Sequence, residues 1–204
     1  MRDMMIDRRR ILAAGLALGG VALLPNAALA AADPTPQAVF HDPGAPLLGN
    51  PNGNVNLVEY FDYQCPFCKK FYPEMIDFVR KDGNIRFIMK DWPIFGEESV
   101  YAAKLTLAAG THRPKALDAL MRAPGRLSHR RTEEILAKAG FDIPALKRSY
   151  ARNKAGIDGL LERNNAQADG FALSGTPAFV AGRVLFPGVP RMEDLKAALA
   201  QSRA

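Results

Sequence analysis

The chain has 204 residues, 27 Lys and Arg against 21 Asp and Glu, a formal net charge of +6 and two cysteines. A globular chain of this length buries a substantial core without staples, which excludes a small scaffold held together by disulfides. The basic excess is thinly spread: its densest patch, Arg126 to Arg131, reads as a solvated helix entrance and not as a nucleic-acid surface.

Met1 to Arg10 carries four arginines, and Ile11 to Leu24 is an uncharged run of apolar and small residues that Pro25 interrupts. Ala28-Leu29-Ala30 then offers the small-x-small pattern of a cleavage site. The apolar run is too short and too rich in Ala and Gly for a membrane span of about 20 residues. Residues 1–30 therefore read as a cleaved signal peptide, with an uncleaved anchor as the alternative. Asp7-Arg8-Arg9-Arg10-Ile11-Leu12 fits a twin-arginine motif, and an ordinary Sec signal with three arginines fits as well. Either route places the chain outside the bacterial cytoplasm, in the periplasm. Four basic and two acidic side chains leave with the segment, so +6 becomes +4.

Residues 31–54 read as a leader with a first short strand. Ala31 to Pro36 is rich in Ala and Pro, and Leu47 to Asn54 is dense in turn formers and predicts a loop before the central strand. Val55 to Phe61 predicts a buried strand. A helix follows from about Cys65 to Lys81, its apolar face drawn through Phe67, Phe71, Met75, Phe78 and Val79. Asp82-Gly83-Asn84 turns the chain into a second strand, Ile85 to Met89, giving a β-α-β unit with parallel strands. Residues 96–169 are helical throughout: Ser99 to Ala109, Pro114 to Arg122, Thr132 to Ala139, Pro144 to Arg152 and Ala155 to Ala168, parted by Gly110, Pro124-Gly125, Gly140 and Gly156. Strands at Ala178 to Val180 and Val184 to Phe186 and a closing helix at Met192 to Gln201 complete a β-β-α half. The fold class is α/β, a β-α-β and a β-β-α half around an inserted all-helical subdomain, with 55–95 and 170–204 forming one domain.

Both cysteines lie in Cys65-Pro66-Phe67-Cys68, at the start of the first helix. Helix N-termini leave N–H groups unpaired and carry partial positive charge, so a thiolate at Cys65 is favoured there. Pro66 suits the first helical position, where no N–H is needed. A cross-link closing four residues stabilises little, because the entropic gain grows with loop length, so the pair points to electron exchange. Structural zinc takes four ligands, and only His41, His112 and His129 could join the cysteines. Those three have no motif context and read as surface residues. Two soft thiolates can hold Cu(I), which leaves a periplasmic copper-binding protein as the rival reading.

Glu59 through Cys68 and Gly175-Thr176-Pro177-Ala178-Phe179-Val180 together resemble the DsbA family, whose members have a thioredoxin fold with a helical insertion. Asp91-Trp92-Pro93-Ile94-Phe95-Gly96 and the short leader are most similar to the branch containing ScsC, the copper-sensitivity suppressor. The resemblance implies a thiol–disulfide oxidoreductase with an exposed Cys65 sulfur that attacks and a buried Cys68 that resolves. It implies that Glu59, six residues before Cys65, takes the proton of Cys68; a Glu59 facing solvent at the strand edge is the alternative. It makes Thr176-Pro177 a cis-proline loop beside Cys65, able to pair with a substrate strand, where the bland reading is a strand-entry proline. Pro66 and Phe67 form the active-site loop. Phe67 stands where the strongest oxidants of the family carry histidine, and Thr176 is similar to reductase and isomerase relatives; both predict a less oxidising potential, unless the helix N-terminus alone keeps the pair oxidising. Trp92 and Phe95 read as core residues, with the border of the active-site groove as the alternative. The implied partners are cysteine-containing exported proteins and a membrane redox partner, DsbB-like or DsbD/ScsB-like. No cofactor or metal is implied. Fewer than twenty residues separate the cleavage site from Gly49, which predicts a monomer.

Overall fold

Val55–Phe61 forms the central strand β2 of a five-stranded sheet, and every residue but Asn56 is buried. The structure, a computed structural model, describes residues 34–203, so the expected signal peptide lies outside the described residues. Ahead of β2 come a short helix α1 (Pro36–Phe40) and the strand β1 (Leu47–Gly49). Helix α2 (Pro66–Asp82) then crosses to β3 (Ile85–Asp91), which runs parallel to β2. Gly83, with φ 72°, closes α2 in the left-handed conformation that favours glycine.

Four helices follow before the sheet resumes: α3 (Glu97–Ala108), α4 (Arg113–Arg122), α5 (His129–Lys138) and α6 (Ile143–Gly170). Strands β4 (Ala178–Ala181) and β5 (Val184–Phe186) and helix α7 (Met192–Gln201) end the chain. The sheet order is β1-β3-β2-β4-β5, and only the β2–β3 pair is parallel. Period-two alternation gives β2 two apolar faces. Leu57 and Phe61 join the core under α2 and α7, while Val58 and Tyr60 join a second core with Val39, Trp92 and Ala168.

Several elements differ from the sequence reading. The first short strand expected within 31–54 falls at Leu47-Leu48-Gly49, inside the run read as a loop, because β3 offers it an antiparallel edge, Leu48 opposite Phe87. The two helices expected on either side of residues 153–154 meet in α6 at a kink, and the break is made by Asn153 (φ −108°, ψ 15°) and not by Gly156; its Nδ2 donates to the Ser149 carbonyl 3.1 Å away. Phe67 leaves the apolar face of α2 and is 63% exposed, since the buried stripe runs through Cys68, Phe71, Tyr72, Met75 and Val79. Trp92 is core, its Nε1 donating to Asn165 Oδ1 at 3.0 Å. Phe95 is not: it is 45% exposed, beside Pro66 and Gln64 on the rim of a groove.

The helical insertion is tied to the sheet by polar side chains. Arg113 on α4 reaches Asp91 at the end of β3 (2.5 Å), and both are buried. Asn164 on α6 donates to the Asp91 carbonyl at 3.0 Å, and the Tyr60 hydroxyl donates to Gln167 at 2.9 Å.

Candidate active site

The turn before α2 is built by Asp62, which sequence reasoning passed over. Its carboxylate accepts from the Gln64 N–H (2.6 Å), the Ser99 hydroxyl (2.7 Å) and the Phe95 N–H (3.0 Å), and its carbonyl accepts from the Cys65 N–H (3.1 Å). The first of these is an Asx turn, whose only signal in the sequence is an Asp two residues ahead of the bonded amide. Gln64 extends the tie by accepting from the Leu127 N–H at 3.0 Å. The loop carrying the cysteines is thus held from both the sheet and the helical insertion.

Cys65 is the N-cap of α2. Its sulfur accepts from the Cys68 N–H at 3.2 Å, doing with a thiol what Ser or Asp oxygens do at other helix starts, and Pro66 follows at the position that needs no N–H. On its other side the Cys65 thiol donates to the Thr176 carbonyl at 3.2 Å. The Thr176–Pro177 peptide bond is cis, and Thr176 leads directly into β4. Thr176 Oγ1 is buried without a hydrogen-bond partner.

The two thiols are unbridged and sit in opposite electrostatic settings. Cys65 is lowered from 9.0 to about 6, first by its hydrogen bond with the Cys68 side chain, then by the side chain of Thr176, whose buried hydroxyl is otherwise without a partner, and by the N–H groups of Cys68 and Phe67, against a cost of burial. Burial pushes the Cys68 thiol well up, and its hydrogen bond to Cys65 and the charge of Glu59 push the same way. Glu59 lies on β2 between Met89 and Phe179, 1% exposed, and neither of its oxygens has a hydrogen-bond partner. Burial, then the charge of Cys65, holds its carboxyl well above the usual carboxylate range. The strand-edge alternative for Glu59 is thereby excluded.

One expectation needs correcting. Cys65 is not the exposed sulfur: the residue is 1% exposed. The sulfur is enclosed because the N-cap bond draws it over the helix end while the Thr176 carbonyl covers the opposite side. Pro66 and Phe67 are the exposed members of the motif. All seven residues singled out from the sequence (Glu59, Cys65, Pro66, Phe67, Cys68, Thr176 and Pro177) lie on β2, the α2 start and the loop entering β4, three segments that meet at one end of the sheet.

His41, His112 and His129 are exposed and do not join the cysteines, and among the described residues no three metal-binding side chains cluster. One lowered thiol held beside one raised thiol can attack a disulfide, form a mixed disulfide and resolve it.

The family model described as Thioredoxin matches residues 41–201. A thioredoxin-like oxidoreductase from Silicibacter pomeroyi is 33% identical, with a TM-score of 0.78 over 83% of this chain and 98% of that one. The thiol-disulfide exchange protein alpha-DsbA2 from Wolbachia pipientis is 25% identical (TM-score 0.75, 81% and 90% covered). The catalytic domain of Proteus mirabilis ScsC shares the fold at 24% identity (TM-score 0.67, 82% and 93% covered). Disulfide bond formation protein D of Bacillus subtilis is 34% identical over 64 residues, which span 29% of each chain. With the Cys65–Cys68 pair at the start of α2 and four helices inserted between β3 and β4, the chain belongs to the thioredoxin family and, within it, to the DsbA-like thiol–disulfide oxidoreductases.

Proposed function

We propose that the chain exchanges disulfides with exported, cysteine-containing proteins in the periplasm. The observation that carries this reading is the opposite setting of two thiols in one motif, Cys65 lowered to about 6 and Cys68 pushed up. The Cys65 thiolate attacks one sulfur of a substrate disulfide, and the other substrate sulfur leaves as a thiolate that takes a proton from solvent. Glu59 in its ionised form then takes the proton of Cys68, and the Cys68 thiolate attacks the Cys65 sulfur. The second substrate thiolate is released, the substrate is reduced, and the chain is oxidised to a Cys65–Cys68 disulfide. Run backwards, the same steps donate a disulfide. The Thr176 backbone, beside Cys65 at the head of β4, is placed to pair with the substrate strand.

A two-thiolate copper site needs both sulfurs ionised, and the burial of Cys68 beside Glu59 opposes the second ionisation. Exchange needs one thiolate at a time.

The direction of flux follows from the potential of the pair, with about 30 mV shifting the equilibrium tenfold. Phe67 supplies the Cys65 sulfur with its backbone N–H and no side-chain donor, so the pair should be less oxidising than a relative with histidine there. Equilibration in glutathione buffers, read by alkylation and mass, tests this. Cys65→Ser should lower turnover by at least about 10³-fold, whereas Cys68→Ser should trap mixed disulfides. Equal turnover in both variants would sink the mechanism. Periplasmic fractionation and a mature N-terminus near residue 31 test the export reading, and sedimentation tests the monomer.

A further inference from the structure

Next to the cysteines lies a groove of about 740 Å³ between α2 and the chain that links α4 to α5. Its basic lining is Lys69 and Lys70 from α2, Arg122 from the end of α4, and Arg126; no Asp or Glu lines it. Pro66 and Phe95 give it an apolar end. The four charges are not equivalent. Arg122 is offset by Asp118, whose Oδ1 accepts from its Nε at 2.7 Å. Lys69 donates to the Leu120 and Ala123 carbonyls at 3.1 and 2.8 Å, which covers the partly negative C-terminal pole of α4 and leaves one of its three N–H donors unassigned. Lys70 and Arg126 are exposed and form no ion pair among the described residues.

We infer that this groove docks an acidic, extended segment flanking the reacting cysteine of the polypeptide that exchanges with Cys65. The inference rests on the exchange function proposed above and adds the substrate class. Gln64 and Pro66, the neighbours of Cys65 in the chain, both line the groove, so a segment lying in it is within reach of the sulfur. From Pro66 to Pro73 the lining of α2 extends about 10 Å, the length of about three extended residues. Acidic side chains within about three positions of a substrate cysteine would therefore meet Lys70 and Arg126. A groove of one charge sign beside low-dielectric walls concentrates oppositely charged partners and raises their association rate.

The test uses the reduced chain and synthetic peptides with one cysteine in a mixed disulfide with 2-mercaptoethanol, flanked by Glu or by Lys. Cys65 takes the peptide sulfur, mercaptoethanol leaves as its thiol, and the second-order rate is read by quenching and mass. At about 20 mM salt the Glu peptide should react about ten-fold faster than the Lys peptide, and the ratio should shrink toward about two-fold at about 200 mM. K70E and R126E should each reduce the ratio, and the double variant should invert it, whereas R152E on α6, outside the groove, should keep it. Equal rates for the two peptides would overturn the inference, as would a preference that survives the double variant. Binding to phosphatidylglycerol vesicles that K70E/R126E abolishes, without any peptide preference, would overturn it too and assign the charge to a membrane surface. The neutral 2-hydroxyethyl disulfide separates this inference from the function beneath it: normal reaction there with no peptide preference sinks the docking groove alone, and no reaction there sinks the exchange function and the groove with it.

Discussion

Glu59 and Asp91 occupy neighbouring parallel strands, face the same layer of the molecule, and are each 1% exposed. Their surroundings part company. Asp91 has Arg113 at 2.5 Å, and its carbonyl accepts from Asn164, so the acid anchors the helical insertion to the sheet. Glu59 has no partner for either oxygen and lies where its charge acts on Cys68. Burial raises both acids, but for Asp91 the guanidinium pulls back. Desolvation alone makes a carboxyl that keeps its proton and can exchange it; desolvation with a cation makes one committed to structure.

The largest expected effect comes from taking away the cation. Arg113→Met should destabilise the chain by about 3–5 kcal/mol, because it leaves a buried carboxylate uncompensated. Denaturant midpoints measure this, and a loss below about 1 kcal/mol would mean that Asp91 does not depend on Arg113. Arg113 Nε and one terminal nitrogen lack partners, so replacing both ends of the pair by apolar residues should recover much of the loss.

Next in size, Glu59→Gln should slow the Cys68-dependent release of substrate by about 10²-fold, seen as longer-lived mixed disulfides. It should also act on stability with a definite sign. The folded chain keeps the Glu59 proton that the unfolded chain releases above its ordinary 4.5, so stability falls as pH rises past that point. The variant lacks this slope and should gain over the parent above pH 4.5 and not below it. An unchanged slope would place the titration elsewhere.

Cys65 carries the opposite sign. Its lowered thiol favours the folded, reduced chain above the ordinary 9.0, and this contribution is lost as pH falls to about 6. Alkylation of the reduced chain should therefore rise through an inflection near 6; an inflection near 9.0 would remove the basis of the asymmetry. The smallest effect is expected from Arg80→Ala. It breaks a pair with Asp77 whose side chains are 74% and 55% exposed, and it should cost less than about 1 kcal/mol. A larger loss would mean that burial is not what separates strong pairs from weak ones here.

What could be read from the sequence was what local pattern decides. The run Val55 to Phe61 ends at turn formers and matches β2 residue for residue, and Val184 to Phe186 and Met192 to Gln201 likewise match β5 and α7. The cysteine motif was legible because its position at a helix start is itself local. Where the deciding partner is remote in sequence, the reading failed. Leu47–Gly49 becomes a strand only against β3, and Cys65 is covered only because a carbonyl 111 residues away comes beside it. Asp62, Lys69 and Arg113 are ordinary charged residues in the sequence, and their roles exist only once Ser99, the end of α4 and Asp91 are placed against them.

The Cys65–Thr176 bond has a further consequence. While Cys65 is a thiol, its S–H occupies the Thr176 oxygen, the edge on which a substrate strand would be received. A thiolate has no hydrogen to give, so loss of one proton removes that bond and leaves the carbonyl without its donor. Nucleophile and landing site are thereby armed by the same event. A protonated chain would be doubly inert, neither attacking nor gripping, and a reduced Cys65 that regains a proton from solvent would reseal the site.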